Sequence, residues 1–431
     1  MEATHELSAV FGVSRGIPLT YVFRQSVDNR FIEDLRRDKH LVVHGSSKQG
    51  KTCLRRQHLS DENHIRIQCT RDLSRAKLYE MILKKAGVKV KATYSSTASA
   101  ASTVGGGGEA KGKLPLFGSA KAEVTIEREK TSADTVVVQE LELDLNDPND
   151  IVRALDAIHF VKHIVIEDFH YLDEDVQRAF AFDLKVFHEV SGLLFVIIGV
   201  WLETNRLIMF NGDLSGRIAT IDADRWADEE LRQIIRSGSG LLNVELPEDV
   251  QRALVKGCQQ NVGLLQEAAY KLCENAGVLS TMKARRSVGS VREVDSIYAE
   301  IAASQSARYL NFLVRFAEGL TSETKLQIYK WIAWAVITAA SNELRNGLKA
   351  SVIFQRIASK HRHGSTMQQS SVTQALDRVG TVQFKHKLQP LIFDYADSRL
   401  RIVDANFIVF IETQKRDDLL VSIGLKKSKL V

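Results

Sequence analysis

The residues with the clearest chemical pattern lie between Gly45 and Thr52, in the segment Gly-Ser-Ser-Lys-Gln-Gly-Lys-Thr. They match G-x-x-x-x-G-K-[ST] at every fixed position. Two glycines let main-chain N–H groups converge on a phosphate, and the N-terminus of the following helix adds a positive dipole. We expect the Lys51 ammonium to reach the β- and γ-phosphates of a nucleotide and the Thr52 hydroxyl to hold Mg²⁺. The alternative is a glycine loop that precedes a helix by chance.

A second chemical feature follows an apolar run at 163–166, where Glu167 and Asp168 stand side by side. A strand that ends in two acids forms the second half of a site that hydrolyses phosphate: one acid binds Mg²⁺ and the other polarises the attacking water. The usual order is Asp followed by Glu or Asp, so the order here predicts that the two roles are exchanged or weakened. The alternative is a strand that simply ends at solvent.

A parallel sheet is needed to bring these two features together. Apolar or alternating runs predict its strands at 41–43, 64–69, 163–166, 193–199 and 218–221. The fourth run, LLFVIIG, is apolar throughout, as in a strand buried on both faces. Helical patterns separate the strands, which is typical of an α/β fold. Val22, Phe23 and Val27, which precede the first strand, are candidates for the pocket that holds the base or for plain packing on the sheet.

The stretch at 93–145 differs in composition. Residues 93–113 form a Gly/Ser/Ala tract with four consecutive glycines, which predicts a mobile loop. The alternation that follows predicts a β-hairpin inserted into the core, or a short helix.

Beyond the core, two helical patterns at 247–257 and 262–276 look like a small lid, and helices are predicted again at 294–320 and 324–344. From 347 onward, helices are followed by runs at 391–395 and 400–403 around an Ala-Asp-Ser-Arg turn, a hairpin signal. This order predicts a winged helix-turn-helix. Its recognition helix would present Gln374 and Arg378 to double-stranded DNA; contact with a partner protein is the alternative.

Composition indicates a soluble, cytoplasmic protein. The start of the chain lacks the pattern of a secretion signal, and the longest uncharged apolar run, 331–340, is too short to span a bilayer. The four cysteines have neither C-x-x-C nor zinc-ligand spacing, so we expect small buried side chains. From 345 to 431 there are fifteen Lys/Arg against seven Asp/Glu, so nucleic-acid contact, if any, is expected there.

With the loop at 45–52, the strand and acids at 164–168, the buried strand ending at 199 and an arginine at 217, the chain resembles the AAA+ class of P-loop ATPases. The lid and winged helix resemble those of initiator and origin-recognition ATPases and of STAND ATPases, and the core is similar to bacterial transposition-regulator ATPases. The fold class implied is α/β: a P-loop NTPase (AAA+) parallel sheet with helices on both faces, a helical lid and a C-terminal winged-helix domain. The predicted domains are a nucleotide-binding core at 1–235, a lid at 236–295, a helical connector at 296–345 and the winged helix at 346–431.

The resemblance also implies roles for single residues. Asn205 or Glu203 would sense the γ-phosphate, and Arg217 would reach the γ-phosphate of a neighbouring subunit in an ATP-bound homo-oligomer. The residues expected to contact nucleotide are Gly45, Ser46, Ser47, Lys48, Gln49, Gly50, Lys51, Thr52 and Cys53; those expected to hold metal are Thr52, Glu167 and Asp168. In the family an arginine commonly points to the γ-phosphate from the start of the second lid helix, and none is present at 261–265.

We therefore expect an ATP- and Mg²⁺-dependent switch that hydrolyses ATP slowly and transmits its nucleotide state to the winged helix, which contacts DNA or a separate effector protein. The alternative is an adaptor or transcriptional regulator that keeps ATP or ADP bound without hydrolysis. A further alternative is a DNA-loading initiator or transposition-type ATPase.

Overall fold

The structure is a computed structural model of the 431-residue chain, and it describes residues 4–12, 16–95, 119–129, 136–201, 204–224, 226–320, 325–388 and 390–425. The elements of its first half are α1 Leu7–Val10, α2 Gln25–Leu35, β1 His40–His44, α3 Lys51–His58, β2 His64–Gln68, α4 Arg75–Lys85, β3 Lys89–Ser95, β4 Ser119–Glu129, β5 Val136–Asp144, α5 Pro148–Ala157, β6 His163–Glu167, α6 Glu174–Val190, β7 Phe195–Ile198, α7 Arg206–Phe210 and β8 Ile218–Asp222.

The centre of the first half is a five-stranded parallel sheet in the order β2-β6-β7-β1-β8. Successive residues of a strand alternate between two apolar cores: Val42 belongs to one, and Leu41 and Val43 belong to the other. Helices α4, α5 and α6 contribute to the first core, and α2 and α3 to the second. Apolar strands in a parallel sheet require cover on both faces. The predicted parallel sheet with helices on both faces is confirmed.

The insertion is an antiparallel sheet of three strands in the order β3-β4-β5. Of the two structures considered for it, the β-hairpin is the one observed, and β3 adds a third strand. The predicted mobile tract begins within β3, which continues to Ser95. Residues 96–113 of that tract lie outside the described residues.

The second half is mainly helical. Its elements are α8 Asp228–Leu242, β9 Val244–Glu245, α9 Glu248–Gly257, α10 Val262–Asn275, β10 Arg286–Ser287, α11 Val291–Ser304, α12 Ser306–Glu318, α13 Ile328–Ile337 and α14 Ser341–Asn346. The helices predicted at 294–320 and 324–344 are each divided in two. In the second case the Glu343 carboxylate accepts a hydrogen bond of 3.0 Å from the Ala340 N–H, which starts a new helix after α13 has ended.

The last elements are β11 Leu348–Lys349, α15 Ala350–Lys360, α16 Gln369–Asp377, α17 Val379–Lys385, β12 Phe393–Ala396, β13 Arg399–Ile402, α18 Ala405–Thr413 and α19 Arg416–Ser422. The predicted hairpin is present as β12 and β13. Its two turn residues, Asp397 and Ser398, have φ of 50° and 57°, as the tightest hairpin turns require. Helices followed by a hairpin form the predicted order, and assignment to the winged-helix class remains a prediction.

One apolar core extends from the lid helices α8, α9 and α10 through α11–α14 to α19. The C-terminal elements are therefore packed against α8–α14, and this packing brings the segment between β13 and α18 to the half of the molecule that contains the parallel sheet. Within the described ranges, no helix is both long enough and apolar enough to cross a membrane.

Candidate functional site

The predicted phosphate-binding segment at 45–52, called the phosphate loop below, connects β1 to α3 and includes the first residues of α3. Its backbone takes positive φ at Gly45 (139°), Lys48 (61°) and Gly50 (81°). A Cβ atom on Gly45 would lie 2.6 Å from Oδ1 of Asp224, so a larger residue does not fit there. Residues 47–53 line a cavity of about 500 Å³, whereas Gly45 and Ser46 lie beneath it in the loop and do not line it. This volume lies in the usual range for a small-molecule site.

Lys51 is held over the loop by the main chain. Its ammonium donates hydrogen bonds to the carbonyl oxygens of Gly45 (2.9 Å) and Ser46 (2.5 Å). The side chain is buried, and this burial lowers the pKa of Lys51 to about 8, against the opposite influence of the Asp224 and Asp168 carboxylates. The predicted phosphate-binding lysine is thus part of a compact polar cradle.

Asp224 is a site residue that the sequence analysis missed. It follows β8, and its carboxylate accepts hydrogen bonds from the Ser46 N–H (2.5 Å) and the Ser46 hydroxyl (2.7 Å). Burial raises the pKa of this carboxyl, while the nearby Lys51 ammonium opposes the rise. The available signal was an acid just beyond the carboxyl end of a parallel strand, the edge where such sheets place their ligands.

The side chains of the two neighbouring acids at the end of β6, Glu167 and Asp168, lie in different surroundings. Glu167 is buried, its Oε1 accepts a hydrogen bond of 3.0 Å from Arg55, and its Oε2 lies 3.6 Å from Arg66. Asp168 has φ of 56° and lines the cavity with Lys51. Burial, helped by the Glu167 charge, raises the pKa of Asp168. The structure therefore brings one of the two predicted acids to the cavity and turns the other to Arg55, a residue that sequence reasoning also missed.

Of the three predicted metal ligands, two lie at the cavity. Thr52 and Asp168 line one cavity, and Glu167 does not. Among the described residues there is no cluster of three or more His, Cys, Asp or Glu that could hold a metal ion. Mg²⁺ at nucleotide sites is commonly held by one or two protein oxygens together with phosphate oxygens and water. Thr52 and Asp168 suit a metal that arrives with a nucleotide.

Asn205 and Arg217 are not among the residues that line the cavity. Asn205 is exposed at the start of α7. Arg217 donates a hydrogen bond of 2.7 Å to Glu189 and another to the Asp213 carbonyl, and it is not among the residues that line the cavity. Glu203 lies outside the described residues. The sensing and neighbour-activating roles of Asn205 and Arg217 remain predictions.

The rest of the cavity wall comes from the N-terminal segment and the lid. Val22 lines it as predicted, whereas Phe23 is 47% exposed and Val27 packs in the sheet core. The Arg24 guanidinium lies 4.1 Å from the centre of the Trp226 ring, a cation–π contact, and both residues line the cavity.

The C-terminal elements and the lid hold the middle of the phosphate loop. The carbonyl oxygen of Val403, just after β13, accepts a hydrogen bond of 3.4 Å from the Ser47 N–H. On the lid, the Asn261 side chain donates to the Ser47 carbonyl (2.9 Å), and the Gly263 N–H donates to the Lys48 carbonyl (3.0 Å). A second cavity of about 210 Å³ at this junction is lined by residues of the loop, by Asp168 and by Arg308 and Asp404.

No family model and no curated protein matches the sequence. Three solved structures illustrate what the fold is similar to. A Walker-type ATPase of Pyrococcus abyssi has 14% identity, with 91% of this chain and 99% of that chain covered and a TM-score of 0.48. The Orc1 protein of Aeropyrum pernix, in complex with DNA, has 12% identity, coverage of 96% and 98% and a TM-score of 0.45. Cdc6p of Pyrobaculum aerophilum has 9% identity, coverage of 94% and 97% and a TM-score of 0.38.

Because these TM-scores are below 0.5, the fold assignment depends on the chain itself. A strand leads into a G-x-x-x-x-G-K-T loop with the required positive φ angles, a helix begins at Lys51, and the flanking sheet is parallel throughout. On these features the chain has the fold of a P-loop NTPase.

Proposed function

We propose that the protein binds ATP with Mg²⁺ and hydrolyses it slowly, as a switch whose nucleotide state is transmitted to the C-terminal elements. The observation that carries this proposal is the cavity of about 500 Å³ in which the buried Lys51, the Thr52 hydroxyl and the Asp168 carboxylate meet.

In this proposal each group has one task. The loop N–H groups and the dipole of α3 bind the phosphates, and Lys51 exchanges its bonds to Gly45 and Ser46 for phosphate oxygens. Thr52 and Asp168 would hold Mg²⁺, which neutralises charge on the phosphates. Asp168 also orients the attacking water, directly or through a second water.

Two features support slow hydrolysis. The Glu167 carboxylate accepts a hydrogen bond from Arg55, and the start of α10 contains Asn261 and no arginine, although the family commonly has an arginine there. An arginine that touches the transferred phosphate is worth about 10³-fold or more in rate. We propose that Arg217 of a neighbouring copy supplies this charge after it leaves Glu189, so that turnover depends on oligomer formation.

The switch role is supported by the bond between the Ser47 N–H and the Val403 carbonyl. A phosphate that takes up this N–H would compete with the carbonyl, so nucleotide binding and the position of the C-terminal segment are coupled. A ligand shifts such an equilibrium only by its difference in affinity for the two positions. The exposed Gln374 and Arg378 on or next to α16 are the proposed contacts to DNA, and an effector protein is the alternative partner.

The test measures ATP affinity and phosphate release for the wild type, Lys51→Ala and Asp168→Asn, with the exposed Lys256→Ala as control. We expect Lys51→Ala to lose nucleotide binding, and Asp168→Asn to bind ATP and to release phosphate more slowly. Unchanged ATP affinity in Lys51→Ala would refute the proposal.

A non-hydrolysing adaptor is the second candidate, favoured by the engagement of Glu167 with Arg55. It predicts tight nucleotide binding and no phosphate release above background in either wild type or Asp168→Asn. DNA affinity measured with ADP and with a slowly hydrolysed ATP analogue, over a range of salt concentrations, separates a DNA-binding switch from one that contacts protein.

A further inference from the structure

The cavity wall outside the phosphate loop contains a buried amide with an unused acceptor. Gln266, on α10, lines the cavity and is 5% exposed. Its Nε2 donates a hydrogen bond of 2.8 Å to the Thr20 hydroxyl. Its Oε1 has no hydrogen-bond partner among the described residues. Buried polar atoms rarely lack a partner, so this atom needs an explanation.

A chain of hydrogen bonds determines which way the amide points. The Thr20 hydroxyl donates to the Val10 carbonyl (3.0 Å), so its oxygen is left to accept from Gln266. If the amide were rotated by 180°, Oε1 would face the Thr20 hydroxyl, and Thr20 would have to donate to Gln266. The carbonyl of Val10, a fully buried residue, would then lose the hydrogen bond from Thr20. The Oε1 atom is therefore a fixed acceptor on a side chain that lines the cavity.

A donor without a partner lies in the same wall. The Nε1 atom of Trp226 is buried and has no partner in the described part of the chain, and Trp226 lines the cavity. Arg24 stacks on the ring and donates to the Ala223 carbonyl (2.9 Å), so the indole is held in place. Outside the phosphate loop, the buried side-chain atoms of the described wall thus include one unused acceptor and one unused donor.

We propose that Gln266 determines the base specificity of the site by accepting a hydrogen bond from the 6-amino group of adenine, with Trp226 donating to an adjacent ring nitrogen. Adenine carries one amino group beside ring nitrogens that accept, which matches one acceptor and one donor. Guanine carries an oxygen, a ring N–H and a second amino group, so one of its donors would be left unpaired in the buried wall. This inference deepens the proposed function and rests on it.

The first experiment compares wild-type affinities for ATP, for purine riboside triphosphate, which lacks the amino group, and for GTP. We expect ATP to bind on the order of tenfold to hundredfold more tightly than the other two. Equal affinities for ATP and the amine-free analogue overturn the inference, as does tighter binding of GTP. This comparison needs no variant, so it does not depend on folding of a mutant.

The second experiment repeats the series with Gln266→Met, which keeps the volume and removes the acceptor. We expect the ratio of ATP affinity to analogue affinity to fall to about one, because of the two ligands only ATP carries the amino group that Gln266 would pair with. The lost bond to Thr20 affects both ligands alike. Gln251→Met is the matched control: the Gln251 amide on α9 donates a hydrogen bond of 2.8 Å to the Leu246 carbonyl, its Oε1 has no partner among the described residues, and it does not line the cavity. This variant should preserve that ratio. A ratio unchanged in Gln266→Met overturns the inference.

The two proposals fail differently. If triphosphates bind, if Lys51→Ala abolishes that binding, and if all bases bind equally, only the base inference is wrong. If the wild type binds no triphosphate of any base, both are wrong.

Discussion

The Arg55 guanidinium donates a hydrogen bond of 3.0 Å to the Glu167 carboxylate, and both side chains are almost fully buried. Arg55 lies on the helix that follows the phosphate loop, and Glu167 ends a strand of the sheet. The pair therefore joins the two elements that carry the nucleotide site, and it removes Glu167 from the cavity.

Loss of one partner of this pair should be costly. Arg55→Met leaves a buried carboxylate without its closest cation, so we expect a loss of about 3–5 kcal/mol in the free energy of unfolding, measured by urea denaturation. The double variant Arg55→Met with Glu167→Met should recover much of this. The exposed ion pair of Arg217 and Glu189 is the control, and Arg217→Ala should cost about 0–1 kcal/mol. Equal costs at the two sites would contradict the importance of burial.

Gly45 should not tolerate a side chain. Its φ is 139°, and a Cβ atom added to it would lie only 2.6 Å from Oδ1 of Asp224, so Gly45→Ala should distort the loop and abolish measurable ATP binding. Gly240, within α8, has no atom within 4 Å of the equivalent position. Gly240→Ala should keep the affinity and stabilise the fold by up to about 1 kcal/mol. A wild-type affinity in Gly45→Ala would refute the described loop geometry.

ATP affinity should decrease at alkaline pH, because burial lowers the pKa of Lys51 to about 8. Above this pH the free protein loses the proton that phosphate binding needs, so affinity should fall by up to about tenfold per pH unit. The free energy of unfolding should rise with pH between about pH 8 and pH 10.5. In this range the unfolded chain still binds the Lys51 proton that the folded chain has released. Titration calorimetry with ATP measures the first effect. Lys51→Arg cannot deprotonate in this range, and a similar slope in that variant would exclude Lys51 as the cause.

The two acids should respond differently to removal of charge. Asp168→Asn should retain ATP binding and lose about 100-fold or more in turnover, because Asp168 lines the cavity. Glu167→Gln should chiefly lower stability. Since burial raises the pKa of Asp168, wild-type turnover should fall as pH decreases through that raised value. A greater loss of turnover in Glu167→Gln than in Asp168→Asn would show that Glu167, and not Asp168, is the catalytic acid.

Arg217 should act between copies of the chain. Arg217→Ala should bind ATP normally and lose about 10³-fold of the turnover seen at high protein concentration. Mixing it with Lys51→Ala, which retains Arg217, should restore part of the activity. Loss of ATP binding in Arg217→Ala would show instead that this arginine acts within its own subunit.

Local pattern was enough to predict the strands of the parallel sheet, the phosphate loop and the hairpin at 393–402, because each depends on residues close together in the chain. The turn at Asp397 and Ser398 is an example: Asp and Ser are frequent turn residues, and the apolar runs on each side have strand periodicity. The long helices were predicted less well. Hydrophobic periodicity alone predicts one helix at 324–344, whereas the bond between the Ala340 N–H and Glu343 starts a second helix within that range.

The amino-acid sequence by itself determined the G-x-x-x-x-G-K-T loop and the α/β class, since Gly45, Gly50, Lys51 and the alternation of strands and helices are local and type-specific. Only the tertiary structure decided which side chains complete the site. Asp224 meets Ser46 across 178 positions of sequence, and Gln266 meets Thr20 across 246. Hydrophobic periodicity does not indicate such partners, because hydrogen bonding and burial depend on distance in space. Packing brings these residues together only when the sheet, the lid and the N-terminal segment have assembled.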